Sequence, residues 1–281
     1  MARILIAGCG DVGAALGVKL VADGHAVWGL KRNVATLPPG IEPIAADLTE
    51  AMRLRLPPKL DSVVYTAAAG RLDATLYQAT YVDGVANVPN ALHAAGQSLR
   101  RFILVSSTSV YAQNDGAWVD EDSPAVADDV GGRSLRQGEQ LAWGGPYPAT
   151  VIRFAGIYGP GRTRLIDSVR SGRASCVTGV YSNRIHRDDC AGALRHVLGL
   201  AEPAPLYIGV DDEPTLHCEV LRWLAARLGV QPPVVATSAG AAEARQRGNK
   251  RCRNARLKAS GWRLRYPDYR AGYTDLLADY H

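Results

Sequence analysis

The feature that most constrains the fold of this chain is a six-residue turn near its start, Gly8-Cys9-Gly10-Asp11-Val12-Gly13, set between a short apolar run and an amphipathic stretch. Arg3 to Ala7 (RILIA) reads as a buried strand, and Val12, Leu16 and Leu20, spaced by four, read as one face of a helix. In a strand–turn–helix unit of this kind the first glycine permits the tight turn. Gly10 leaves the backbone bare where helix N–H groups and the helix dipole favour an anion, and Gly13 lets helix and strand pack closely. In an isolated loop the same six residues would be a tight turn and nothing more. Between a strand and a helix, G-x-G-x-x-G points to the pyrophosphate of a dinucleotide, with Gly8, Gly10, Asp11, Val12 and Gly13 as the first expected contacts.

The rest of the chain repeats this alternation. Apolar runs at His25 to Leu30, Ile41 to Ala45, Ser62 to Ala67, Arg101 to Ser106 and Thr150 to Phe154 read as strands, a helical region lies between about Leu72 and Gly96, and Leu206 to Val210 reads as a late strand returning to the same sheet. Continuous apolar strands alternating with helices predict a parallel sheet covered on both faces. The expected fold is therefore α/β, a Rossmann-type doubly wound parallel sheet. Tyr158 to Asn183 reads as loop-rich, and Ala236 to Ala244 as a surface loop or frayed helix. With 281 residues, 47% hydrophobic and 21% charged, the chain is long and apolar enough to fold without a metal or disulfide staple.

An NAD site would carry an Asp or Glu about 20 residues beyond the turn to hold the ribose hydroxyl. Here the second strand ends Gly29-Leu30-Lys31-Arg32, with two cations where a 2′-phosphate would lie. That favours NADP over NAD, with NAD possible, and Arg32 is the better ligand because its fork is bidentate. A solvated strand end is the plainer alternative for the pair. Asp47, after the third strand, is placed to meet the adenine or to serve as a helix-start carboxylate.

Four further segments bear a family resemblance: SSTSVY at Ser106 to Tyr111, RFAGIYGPG at Arg153 to Gly161, NRIHRDD at Asn183 to Asp189, and NARLKASGW at Asn254 to Trp262. With the glycine turn and LYIGVDDEPT at Leu206 to Thr215, the chain resembles the extended short-chain dehydrogenase/reductases, and within them the atypical NAD-dependent epimerase/dehydratase-like members. The resemblance spans nearly the full length. It implies a Rossmann domain over 1–155 with 186–210 and a smaller, interleaved C-terminal substrate-binding domain over 156–185 with 211–281, with the nicotinamide in the cleft between them. It also implies cofactor contacts from Thr66, Ala67 and Ala68 after the fourth strand and from Ser106 after the fifth.

The family carries a Ser/Thr, a Tyr that donates a proton, and a Lys that lowers the Tyr pKa, the last two as Tyr-x-x-x-Lys. Ser107 matches the first. Gly131 and Leu135 stand where the Tyr and Lys belong, and a glycine cannot donate a proton nor a leucine stabilise a phenolate. The family's Asp-Glu pair is Thr108-Ser109 here, its helix Asn is Tyr81, and Ala7 takes the first Gly position of the commoner G-x-x-G-x-x-G. Tyr111 and Tyr158 fall in segments that line the nicotinamide side in the family and are, with Ser107, the catalytic candidates, although a phenol without a neighbouring Lys titrates near 10. Thr108, Arg133, Arg162 and Arg164 are the expected substrate contacts. His186 titrates in a useful range but belongs to a segment that is chiefly structural in the family. Asp188-Asp189 reads as a helix N-cap and first-turn acid. A positive φ that a Tyr could not adopt without strain is the further expectation at Gly131.

Charge bears on the partner. Residues 1–150 hold 12 Lys+Arg and 15 Asp+Glu, net −3, while residues 151–281 hold 20 and 12, net +8. Eighteen of those 20 cations are Arg, which suits an anionic small molecule, although 27 Arg against five Lys in the whole chain equally reads as a compositional habit. The arginines are dispersed and Phe numbers two, so nucleic acid is not the expected partner. No apolar run reaches the roughly 18 residues of a membrane span, which gives a cytoplasmic expectation, and a homodimer through Rossmann helices is possible. Five scattered cysteines without C-x-x-C suggest no metal site and reduced, packed thiols. Two functions stay open: an NAD(P)-dependent oxidoreductase or epimerase of atypical mechanism on a small, phosphorylated or nucleotide-linked substrate, and a non-catalytic NADP(H)-binding redox sensor or assembly protein.

Overall fold

Strand residues here alternate between two apolar faces, so each strand can be buried only in a sheet covered on both sides. The structure, a computed structural model, describes residues 1–236, 248–278 and 280, so most of the Ala236 to Ala244 stretch lies outside the described residues. Seven parallel strands, β1 (Arg3–Ala7), β2 (Ala26–Lys31), β3 (Ile41–Ala45), β4 (Ser62–Tyr65), β5 (Arg101–Ser107), β6 (Ala149–Phe154) and β7 (Leu206–Gly209), form one sheet in the order β7-β6-β5-β4-β1-β2-β3. The chain runs outward from β1 through β2 to β3, then crosses back to β4. The β1/β4 boundary is therefore the switch point, where the crevice at the carboxyl ends of the strands opens.

Ile4, Ile6, Val64, Ile103 and Ile152 face α1 (Asp11–Ala22) and α6 (Arg187–Gly199), burying Leu16, Leu20, Leu194 and Val197. Their neighbours Leu5, Ala7, Val63, Tyr65, Phe102, Leu104 and Val151 face the opposite layer, α3 (Gly84–Ala94) and α4 (Val130–Trp143), against Val85, Val88, Leu92 and Ala142. A short helix α2 (Ala74–Gln78) leads into α3 through a π-helical turn over Ala79–Asp83. The Tyr65 hydroxyl donates to the Thr80 carbonyl in that turn at 2.6 Å.

A separate core gathers Ile166, Val169, Leu221, Leu224, Tyr269 and Tyr273 from α5 (Arg164–Arg170), α7 (His217–Leu228) and α9 (Tyr269–Ala278) around Tyr158, at the end of a short strand. The five-residue α8 (Ala255–Ala259) precedes α9. Tyr158 to Asn183, expected as loops, contains α5 and two short strands, because Ile166 and Val169 supply a buried face that the surrounding Gly and Arg residues obscure in the sequence. The cysteine expectation is corrected at one pair. Cys176 and Cys218 are joined by a disulfide across a sequence separation of 42, their Cα atoms 4.7 Å apart, because both fold into this core. Cys9, Cys190 and Cys252 are free and buried. Among the described residues no helix is long and apolar enough to cross a membrane, and no cluster of His, Cys, Asp and Glu could hold a metal.

Candidate active site

The glycine turn closes as a cradle for an anion. Gly8 has φ +81, and a Cβ there would run into the Ala67 backbone, so only glycine lets the loops after β1 and β4 touch. Gly8 N and Cys9 N both donate to the Leu30 carbonyl at 2.9 Å, tying the turn to the end of β2. Gly10 caps α1 without a side-chain bond, and the first helical bond, Ala14 N to Gly10 O at 2.7 Å, leaves the N–H groups of Asp11, Val12 and Gly13 pointing out of the helix end. A Cβ on Gly10 would meet only Gly8 O, at 3.8 Å, so this backbone is open to a ligand. At Gly13 a Cβ would lie 2.7 Å from Thr66 Oγ1 and 2.9 Å from Ile6 Cγ2. The donor set and open backbone fit a pyrophosphate.

Two guanidinium groups frame this helix end. Arg162 Nε donates to Asp11 Oδ2 at 2.5 Å and Arg187 NH1 donates to Asp11 Oδ1 at 3.3 Å. One carboxylate thus holds two arginines beside the bare N–H groups, and Arg187 is shared with Asp188. Arg162, expected at the substrate, stands instead at the glycine turn. Arg164 lies next to it with Arg173 and Asp167 around a cleft of about 600 Å³. At the far end, Lys31 Nζ donates to Thr36 Oγ1 at 3.0 Å, whereas Arg32 is exposed and makes no hydrogen bond among the described residues. Asp47 accepts from Thr49 N at 3.0 Å and Thr49 Oγ1 at 2.8 Å. The backbone bond from Thr49, with the Arg32 charge as a smaller cause, holds its carboxyl below the usual range.

Several expected site residues have structural work elsewhere. Thr66 Oγ1 donates to Gly8 O at 2.9 Å and braces the turn, Ala67 packs against Gly8, and Ala68 is exposed at the crevice edge. Ser106, an expected cofactor contact, is buried and gives its hydroxyl proton to Glu139 at 2.6 Å. Glu139 also receives Arg153 Nε at 2.9 Å and NH2 at 2.6 Å, a bidentate pair sealed in the core. Tyr111 is 1% exposed, takes Arg153 NH1 at 2.8 Å and donates to Asp120 O at 2.8 Å, and burial pushes its phenol up to about 12. Tyr158 is 4% exposed, stacks on Tyr273 with centroids 4.5 Å apart, and burial pushes its phenol strongly upward. Both hydroxyl groups are turned to backbone carbonyls, Tyr111 to Asp120 O and Tyr158 to Asp268 O at 3.4 Å.

Thr108, expected at the substrate, is buried. Ser107 is half-buried at the end of β5, its Oγ accepting from Ser109 N at 3.2 Å and from Ser109 Oγ at 3.0 Å. His186 is buried between Tyr158 and Tyr266 and caps α6, its Nδ1 accepting from Asp188 N at 3.2 Å. It, not Asp188, is the N-cap, while Asp188 binds Arg187 and Asp189 accepts from Arg265 N and Tyr266 N. Gly131 lies in the first turn of α4 with no positive φ, correcting that expectation, and Arg133 is exposed on the same helix. Leu135 packs with Val110, Tyr111, Val210 and Cys252.

Three residues the sequence does not mark also reach this region. Arg187 binds Asp11 from 176 residues away. Lys250 is buried, its Nζ donating to Tyr111 O at 2.9 Å, and burial lowers its pKa. Tyr77, from α2, lies over Gly131: a Cβ there would be 3.2 Å from Tyr77 Cε1.

The family model for the NAD dependent epimerase/dehydratase family matches residues 4–198. Among solved structures, a protein of the NAD-dependent epimerase/dehydratase type from Methylobacillus flagellatus is 38% identical, covering 99% of this chain and 98% of that one with a TM-score of 0.81. Human epimerase family protein SDR39U1, solved with NADPH, is 22% identical over 99% of both chains, with a TM-score of 0.81. The Bordetella bronchiseptica enzyme WbmG, solved with NAD and UDP, is 22% identical over 99% of this chain and 94% of its own, also at 0.81. No curated protein matches the sequence.

Proposed function

The chain belongs to the NAD-dependent epimerase/dehydratase family, and from that premise we propose that it is an NADP(H)-dependent oxidoreductase or epimerase acting on a small anionic substrate. The observation that carries this reading is the open helix end at Gly10, framed by Arg162 and Arg187 on Asp11, with an unpaired Arg32 at the end of β2. The N–H groups of Asp11 and Val12, with both guanidinium groups, would hold the pyrophosphate. Arg32 would meet the 2′-phosphate, since no carboxylate follows β2 to accept a ribose hydroxyl.

The bound nicotinamide would give or take a hydride at a carbon bearing oxygen. The chain's own task is then to orient that carbon at the carboxyl ends of β4, β5 and β6, with Ser107 as the half-buried hydroxyl there, and to keep Arg164 and Arg133 available for a phosphorylated or nucleotide-linked substrate. The NAD and UDP bound by WbmG lend support to that substrate class. A second reading, a non-catalytic NADP(H)-binding redox sensor or assembly protein, is favoured by one observation: Gly131 and Leu135 carry no proton-transfer group, and Tyr111 and Tyr158 are buried.

Fluorescence titration with NADPH and NADH tests the nucleotide. NADPH should bind at least about tenfold tighter, roughly 1.4 kcal/mol, as one charge-assisted contact supplies. Arg32→Ala should remove that advantage and leave NADH unchanged. Equal affinities in the wild type would sink the NADP assignment.

A further inference from the structure

Among the side chains considered for proton transfer, nearly all are already committed. Tyr111 and Tyr158 are buried, His186 is a buried helix cap and Lys250 is buried on a carbonyl, while Ser107 only accepts, from Ser109, and is an alkyl hydroxyl, a far weaker acid than a phenol. Tyr77 differs from all of them. It is half-buried, and its hydroxyl makes no hydrogen bond among the described residues. Its ring stands 3.2 Å from where a Gly131 Cβ would be, and tilts against Tyr81 with centroids 5.0 Å apart. Tyr81 is anchored in turn, its hydroxyl accepting from Ala69 N at 3.4 Å in the loop after β4 that also touches Gly8. The π-helical turn immediately after α2 contains Tyr81 and begins two residues after Tyr77, an irregularity often found at functional sites.

We propose that Tyr77 is the proton donor of this site, reaching from α2 into the space that Gly131 leaves open. The proposal rests on the nucleotide reading above. In carbonyl reduction the carbonyl carbon accepts hydride from the reduced nicotinamide, the C=O π pair moves to oxygen, and that oxygen takes the Tyr77 hydroxyl proton. The products are an alcohol and oxidised cofactor, and the phenolate recovers its proton from water, to which the half-exposed ring has access. Burial and the nearby Asp129 carboxylate push this phenol upward, so it is a weaker acid in the unliganded chain, and a cationic nicotinamide ring facing it would lower it again. Gly131 is thereby explained: a side chain there would displace the ring.

The test reads the phenol directly, by ultraviolet difference titration of the full chain with and without NADP+. A pyridinium cation facing Tyr77 should make one phenol titrate at least about one pH unit lower. That signal should vanish in Tyr77→Phe and persist in Tyr81→Phe. If NADP+ binds and no such shift occurs, or if the shift survives in Tyr77→Phe, the proposal is overturned while the nucleotide reading stands. Absence of NADP+ binding overturns the nucleotide reading itself, and the donor with it. With para-nitrobenzaldehyde as the carbonyl probe, Tyr77→Phe should lose about 10² to 10⁴ of any wild-type NADPH oxidation rate at unchanged NADPH affinity. Equal rates would also overturn the proposal.

Discussion

Gly13→Ala and Gly10→Ala form a paired perturbation that separates what the glycine turn does for the fold from what it does for a ligand. At Gly13 the added methyl would sit 2.7 Å from Thr66 Oγ1 and 2.9 Å from Ile6 Cγ2. Ile6 is completely buried and Thr66 is braced on Gly8 O at 2.9 Å, so neither can retreat without shifting α1 away from β1 and β4. Overpacking of this kind costs about 1–3 kcal/mol and loss of the Thr66 bond about 1 more, while replacing a helical glycine by alanine returns about 1. The net is a loss of about 2 kcal/mol, a fall in Tm of roughly 4–8 °C for a chain of this size. At Gly10 the methyl meets only Gly8 O at 3.8 Å, so Tm should stay close to that of the wild type. Its methyl nevertheless stands where the pyrophosphate would approach, and NADPH affinity should fall at least about tenfold. Thermal melts and fluorescence titration of both variants read the two effects. A Gly13→Ala protein as stable as the wild type, or a Gly10→Ala protein that binds NADPH undiminished, would refute the reasoning.

Glu139→Gln strands the Arg153 guanidinium in the core and should cost about 3–5 kcal/mol in urea unfolding, whereas the double change Glu139→Leu with Arg153→Met should come out much closer to wild type. A near-neutral single variant would contradict the buried pair. Asp211 is 2% exposed, and burial raises its carboxyl to about 8, so the folded chain holds that proton over a range in which the unfolded chain has released it. The native state binds more protons there, and stability falls as pH rises from about 4 to about 8. Asp211→Asn, which cannot ionise, should show a Tm advantage over wild type that grows across that window; a constant difference would dismiss the raised carboxyl.

What the sequence made legible was local. The glycine turn and the seven sheet strands follow from patterns complete within a few residues, and their observed bounds differ from expectation by only a residue or two at the ends. The site was legible at Gly8, Gly10 and Gly13, whose roles are set by their own neighbours. Long-range relations were not. Nothing around Arg187 indicates that it will meet Asp11, 176 residues earlier, and nothing around Cys176 indicates Cys218. Tyr111 and Tyr158 stand out in the sequence by their place in family segments, but whether a phenol faces the crevice or the core depends on packing that those segments do not encode. Tyr77 does not stand out, for the converse reason. Its short helix carries no motif, and it becomes notable only when folding sets it over a glycine.

The most direct test of the whole account is a crystal structure of the protein with NADPH bound. The account predicts pyrophosphate oxygens on the N–H groups of Asp11 and Val12, the 2′-phosphate on Arg32, and the nicotinamide over the carboxyl ends of β4 and β5 with the Tyr77 hydroxyl facing its reactive side. A nucleotide lying away from the glycine turn, or one whose nicotinamide ring is remote from Tyr77 and Ser107, would contradict it.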